Sequence, residues 1–180
     1  VGKLIIPVDV KLFCAVTFSD TVLYNGTKLL LENNFGPIEI RSAIYDFDFT
    51  QYYFKEMGAG LKKQLLGFER LIAPDRLPDY KLTTNEIEKK FTINENRKLN
   101  IDPGYLSAGK VVLATTKNFD HRIYLGKGIY GDVHLRYRGR KFQFNSWTYP
   151  DYRDMKMIEF FEILRKKYMK EHDKLIKKKG

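Results

Sequence analysis

The chain has 180 residues, 43% of them hydrophobic, and its 32 basic and 22 acidic side chains give a net charge of +10. That apolar fraction excludes a disordered chain, and the length suits a single domain with a substantial core. One cysteine, Cys14, excludes an internal disulfide, and no apolar run reaches membrane-spanning length, so the sequence reads as a soluble cytoplasmic protein without a signal peptide.

In chain order, Lys11–Phe18 is an expected strand, and Ser19-Asp20 opens a helix that runs to about Phe35, where Gly36-Pro37 stops it. Ile38–Phe47 returns as a strand, completing a β-α-β unit. An aromatic and acidic segment, 46–54, follows, and Met57-Gly58-Ala59-Gly60 breaks it. Leu61–Leu66 is expected as a short helix and Phe68–Ile72 as a strand. Thr83 or Thr84 caps a further helix to about Phe91, with Glu86 and Glu88 in its first turn. After a polar turn at Asn94–Arg97, Lys98–Asp102 is a fourth strand, and Asp102-Pro103-Gly104-Tyr105 reads as a forced turn. The fold class is therefore α+β: a ferredoxin-like βαββαβ first part, then a three-stranded antiparallel meander and a C-terminal helix. Ser107–Lys117 fits either helix or strand, with a lean to helix.

The meander is built from His121–Leu125, Ile129–Tyr137 and Arg140–Trp147, joined by Gly126-Lys127-Gly128 and Arg138-Gly139. Alternation puts Tyr130, Asp132, His134 and Arg136 on one face of the middle strand and Val133 and Leu135 on the other. The expected register sets Arg122 opposite Asp132 and Tyr124 opposite Tyr130. On the far side it sets Arg136 beside Lys141, His134 beside Gln143 and Tyr130 beside Trp147. The last helix carries Met157, Phe160, Phe161, Leu164, Tyr168 and Leu175 on one core-facing stripe.

Residues 1–96 hold 12 basic and 13 acidic side chains, whereas residues 97–141 hold 10 and 3 and residues 156–180 hold 9 and 4. A localised excess of this kind favours an anionic partner, with a solvated basic surface as the plain alternative. No phosphate-binding G-x-x-x-x-G-K-[ST] loop, G-x-G-x-x-G turn or nucleophile elbow is present. Thr115-Thr116-Lys117-Asn118 falls short of a guanine-reading motif. His121, His134 and His172 are scattered, and the register puts His121 and His134 on opposite faces, so no metal site is expected. Cofactor and oligomeric state are left open by the sequence.

What remains is a constellation. Lys110, Lys117, Arg122 and Arg136 can neutralise phosphate, while Tyr105, Tyr124, Tyr130 and Trp147 can stack a base or sugar. Asp102, His121 and Asp132 are the candidates for proton chemistry; their plain readings are a turn cap, a structural histidine and a cross-strand ion pair with Arg122. The expected function is binding, with or without turnover, of a phosphorylated ligand, a nucleotide or RNA segment, on a basic aromatic sheet face. The alternative is a non-catalytic module docking an acidic protein partner.

Several runs carry a likeness to a known family: Phe35-Gly36-Pro37-Ile38, Asp48-Phe49-Thr50 with Tyr52-Tyr53, Lys55-Glu56-Met57-Gly58, Asn100 to Leu106, Lys110 to Lys117, His121 to Gly126 and Trp147 to Tyr152. Together they resemble an uncharacterised prokaryotic family, domain of unknown function forty-four sixteen, from about Val10 to Tyr168. The resemblance implies a bacterial or archaeal cytosolic protein and no catalytic residues. Members sometimes bear a GTP-binding label, which the missing phosphate loop does not support.

Overall fold

The computed structural model describes residues 2–4, 6–49, 53–94 and 96–179, without the side chains of Lys55 and residues 177–179. Thr50, Gln51 and Tyr52 of the aromatic segment, and Glu95 of the expected turn, lie outside the described residues. The fold is α+β, a nine-stranded antiparallel sheet with long helices on both faces.

Strand β1 (Val10–Phe18) is central and buried along its whole length, which is why it reads as a continuous apolar run. Helix α1 (Thr21–Phe35) starts where the Asp20 carboxylate accepts the N–H groups of Val22 and Leu23, and it ends at Gly36, whose φ of 92° suits a residue without a Cβ. The strand expected over 38–47 is broken into β2 (Ile38–Arg41) and β3 (Tyr45–Asp46). Short helix α2 (Phe54–Met57) precedes β4 (Lys62–Ile72). The helix expected over 61–66 is thus the first half of β4. Leu65 joins the core on one face of the sheet and Leu66 and Phe68 join the core on the other, so both faces of β4 are covered and its leucines show no alternation.

Helix α3 (Leu77–Lys90) begins at Leu77, with Pro78 in its first turn, rather than at Thr83 or Thr84. Those hydroxyls bond back to the carbonyls of Asp79 and Lys81 inside the helix. After the small ribbon of β5 (Thr92–Ile93) and β6 (Asn96–Arg97), β7 (Leu99–Leu106) runs straight through Pro103-Gly104. The expected turn is absent because Gly104 serves close approach instead. A Cβ there would lie 2.5 Å from both Phe13 Cζ and the Val112 carbonyl. The ambiguous segment after it is strand β8 (Lys110–Thr115), not helix.

The remaining strands are β9 (Ile123–Gly126), β10 (Ile129–Arg138) and β11 (Lys141–Phe144), followed by a 3-10 turn at Pro150–Arg153 and helix α4 (Met155–Lys179). The sheet order is β11-β10-β8-β7-β1-β4-β2, with β3 also on β4 and β9 also on β10. Because β8 pairs β10 along residues 130–136, β9 and β11 share the other edge of β10, end to end. They do not flank it as a meander would.

Even-numbered residues 12–18 of β1, with Leu66 and Phe68, pack on Tyr24, Leu31 and Phe35 of α1 and Ile87 of α3. On the opposite face Phe13, Ala15, Leu65, Val111, Leu113 and Leu135 meet Phe160, Phe161, Leu164 and Tyr168 of α4. The expected stripe of α4 is core from Met157 to Tyr168, each large side chain contributing roughly 1.5–3 kcal/mol of burial, whereas Leu175 is only half-buried. No helix among the described residues is long and apolar enough to cross a membrane.

Two features of β10 correct the expected face. Its second hairpin pairs Arg136 with Gln143 and Tyr137 with Phe142, two residues from the expected register. Gly139 and Arg140 form the turn, both at positive φ. A two-residue slip leaves every side chain on its face, so sequence alternation cannot detect it. More consequential is a bulge between Val133 and Leu135 opposite β8. It reverses the alternation: Leu135 joins the α4-side core, Val133 joins the α3-side cluster, and Arg136 is separated from Tyr130 and Asp132.

Candidate functional site

Strands β7 and β8 pair only over Gly104–Leu106 and Val111–Leu113. Beyond that they part, and Pro103, which has no N–H to offer a ladder, sits at the fork. Residues 99–103 then pair only with β1, and residues 114–115 only with β10. The wedge between them is a cleft of about 430 Å³, walled by α3, by the end of β8 and by Tyr53, Asp132 and Tyr149.

A chain of buried polar groups lines the inner wall. Lys81 of α3, 6% exposed, donates to the Ile101 carbonyl at 2.9 Å and lies 3.4 Å from the Asp102 carboxylate. Asn100 donates to the other Asp102 oxygen at 2.7 Å. Glu88 accepts the Ile101 N–H at 2.6 Å and the Arg97 guanidinium at 3.1 Å. Arg97 in turn grips Glu56 of α2 through two bonds, at 2.6 and 2.8 Å, and reaches Asn100. Burial alone would raise the Asp102 carboxyl, but Lys81, Lys63 and Asn100 hold it below its ordinary value. For Glu88 burial wins over Lys81 and Arg97, and its pKa is raised. Lys89, Thr116 and Lys117 are exposed and form the mouth, with Thr115 half-buried beside them.

Behind the cleft is a second array. Asp132, 1% exposed, accepts Arg122 Nε at 2.9 Å and lies 3.1 Å from His134 Nδ1 and 3.3 Å from His121 Nε2. Arg122 also donates to the Lys117 carbonyl and the Tyr149 hydroxyl. Burial opposes the charge on Asp132, yet His134 and Arg122 outweigh it and the carboxyl is held low. Burial pushes the Tyr149 hydroxyl up. His121 and His134 thus meet on one carboxylate instead of facing apart. His121 lies in the turn closed by the Arg122 N–H to the Phe119 carbonyl, ahead of β9, where strand alternation does not apply. Among the described residues no group of three or more His, Cys, Asp or Glu is arranged to hold a metal ion.

The expected site residues therefore divide. Asp102, Lys117 and Asp132 line the cleft, and Arg122 braces it from behind. His121 stacks on Trp147, ring centroids 5.1 Å apart, around a shallow hollow on another side. Tyr124 and Tyr130 pair with each other at 5.3 Å, in the expected register, away from the cleft. Tyr105 packs against the α3-side clusters, and Lys110 and Arg136 lie opposite each other at the far end of β8. The single basic aromatic face is thus not formed. Lys81, Glu88 and Arg97 did not figure among the expected site residues. The signal for the first two is helical phase: Leu77, Lys81, Thr84 and Glu88 fall on the buried face of α3, so two charges sit on an otherwise core-facing stripe.

No curated protein and no solved structure matches the chain. A family model described as Domain of unknown function (DUF4416) matches residues 8–168, nearly the whole length, and spans every element that builds the cleft. By that match the chain belongs to the DUF4416 family, a domain of unknown function.

Proposed function

We propose that the chain binds a small phosphorylated ligand, of nucleotide size, in the cleft between β7 and β8. The observation that carries this reading is the pairing of a polar inner wall with a cationic mouth in a cavity of small-molecule volume, about 430 Å³. Carboxylates of Glu88, Asp102 and Asp132 disfavour a phosphate deep inside. Lys117, with the hydroxyls of Thr115 and Thr116, favours one at the mouth, where Lys89 is paired with Glu86. Asp102 and Asn85 then face the ligand's hydroxyl or amino groups. Carboxylates whose pKa values are shifted by burial and by specific charged partners, gathered in one cleft, support a binding role for it.

The test is calorimetric titration with nucleoside monophosphates, the matching nucleosides and inorganic phosphate. Lys117→Ala should weaken the phosphorylated compounds about tenfold or more, the loss of one charge-assisted hydrogen bond, and leave nucleosides little changed. Asp102→Asn should weaken both. Monophosphates that bind no better than nucleosides, or that ignore Lys117→Ala, would end this reading.

A second reading, a module docking an acidic protein partner, is favoured by a band of exposed side chains around β9: Phe119, Ile123, Tyr124 and Trp147, exposed by 53, 69, 59 and 39%. Ile123→Ser with Tyr124→Ser separates the two. It leaves nucleotide affinity unchanged, and only the docking reading expects it to release a co-purifying partner.

A further inference from the structure

At the end of β10 away from the cleft, the chain gathers positive charge that its own structure does not neutralise. We infer that the β10–β11 hairpin and the middle of α4 form a docking surface for the phosphate backbone of a nucleic acid.

The cross-strand pairs carry the argument first. Lys110 lies opposite Arg136, and Arg138 opposite Lys141. Directly opposed like charges on a sheet repel and weaken it. On α4, Lys166 and Lys170 are four residues apart, another repulsive spacing. Arg138, Arg140, Lys141, Lys166 and Lys170 are all exposed, and none has a carboxylate partner among the described residues. Some surface cations elsewhere are paired, as Lys62 is with Asp46 and Lys167 with Glu39, but isolated ones such as Arg70 and Lys90 are not, among the described residues; what sets this surface apart is that its unpaired cations lie side by side.

Backbone geometry points the same way. Arg140 occupies the second turn position at φ 62°, where glycine or asparagine is the favoured residue. A cation is thus held at the tip of the hairpin in a conformation its side chain disfavours.

The shape of the surface selects the partner. Between hairpin and helix lies a groove of about 560 Å³ with Tyr137 and Arg165 in its wall and Glu162 as its sole acidic lining. The Arg165 guanidinium sits 3.5 Å over the Tyr137 ring and its Nε donates to the Ala108 carbonyl at 3.0 Å. It is therefore pre-positioned rather than free to wander. A concave groove lined by Arg140, Arg165, Lys166 and Lys170 suits a chain of phosphates, each cation answering one charge of the backbone. From Asp132 to Arg138 is six strand residues, about 20 Å, so this surface and the cleft are separate.

The experiment is fluorescence anisotropy of a labelled 20-nucleotide single-stranded RNA and a 20-base-pair DNA duplex, at salt from 50 to 200 mM. The expected result is binding that weakens linearly in log affinity against log salt. Arg138→Ala/Arg140→Ala/Lys141→Ala should reduce affinity at least tenfold at 50 mM salt and flatten the slope by about 2. Lys166→Ala/Lys170→Ala, on the helix surface, should do the same to a smaller extent and decides the matter if the hairpin variant fails to fold. Lys117→Ala, in the cleft, should leave RNA affinity within twofold, so this inference and the cleft reading fail independently. Absence of binding at 50 mM salt, affinity indifferent to both variants, or capture by phosphatidylserine vesicles in preference to either nucleic acid would overturn it.

Discussion

Replacing Asp132 by asparagine should cost about 3–5 kcal/mol of folding stability, the typical loss when one partner of a buried ion pair is removed. The side chains of Asp132 and Arg122 are each 2% exposed. An amide of the same shape keeps one acceptor oxygen but places an NH₂ where the second oxygen stood. Arg122 would then keep only neutral partners, the Lys117 carbonyl and the Tyr149 hydroxyl. The pH dependence has a defined sign. The folded carboxyl is held below its unfolded value of about 3.9, so its stabilisation is complete above that value and is lost as pH falls through the folded one. Urea denaturation followed by tryptophan fluorescence at pH 7 and at steps down to pH 3 measures both effects. The gap between wild type and Asp132→Asn should be widest at pH 7 and narrow on acidification. Adding Arg122→Met should recover part of the loss, because no unpaired charge then remains buried. A cost under about 1 kcal/mol at pH 7, the value of an exposed pair, would refute the description of Asp132 and Arg122 as a buried pair.

Gly104→Ala should destabilise by about 1–3 kcal/mol, since its Cβ would meet a ring and a backbone carbonyl at 2.5 Å. Gly67→Ala should cost less in the same thermal melts, because its nearest obstacle at 2.6 Å is the end of the Leu164 side chain, which can move. Arg140→Gly should stabilise the chain by up to about 1 kcal/mol by relieving a left-handed arginine, while weakening RNA binding; an unchanged or lower melting temperature counts against the strain argument. Burial raises the Cys14 thiol, so iodoacetamide at pH 8 should modify it only as fast as the protein unfolds globally; rapid labelling in native buffer would contradict that.

The sequence carried a good part of this architecture in local terms. Asp20 as a cap, Gly36-Pro37 as a stop, and the 157–168 stripe each act within a few residues, and each stands where expected. The hairpin at Gly126–Gly128 also delivered the Tyr124–Tyr130 pair. What stayed hidden depends on neighbours distant in the chain. A strand covered on both sides, such as β4 or β8, loses the alternation that would mark it. The bulge at Val133–Leu135 exists only because β8 lies alongside, and it dispersed the expected face. The cleft follows from where β7 and β8 cease to pair, which no motif records. Lys81 and Glu88 were legible only once α3 was started at Leu77 instead of Thr83.

The outer edge of β10 is bordered by β9 and β11, with a gap between them. At that gap Val133 offers its carbonyl to Asn145 Nδ2 at 2.6 Å and Trp147 Nε1 at 3.1 Å, and His134 offers its own to the Thr148 hydroxyl at 2.5 Å. An unclaimed stretch of strand border is where an identical chain would add itself and begin an aggregate. Three side chains from the connection to α4 occupy that berth, so the segment that ties the last helix to the sheet also guards the protein against polymerising through its own margin.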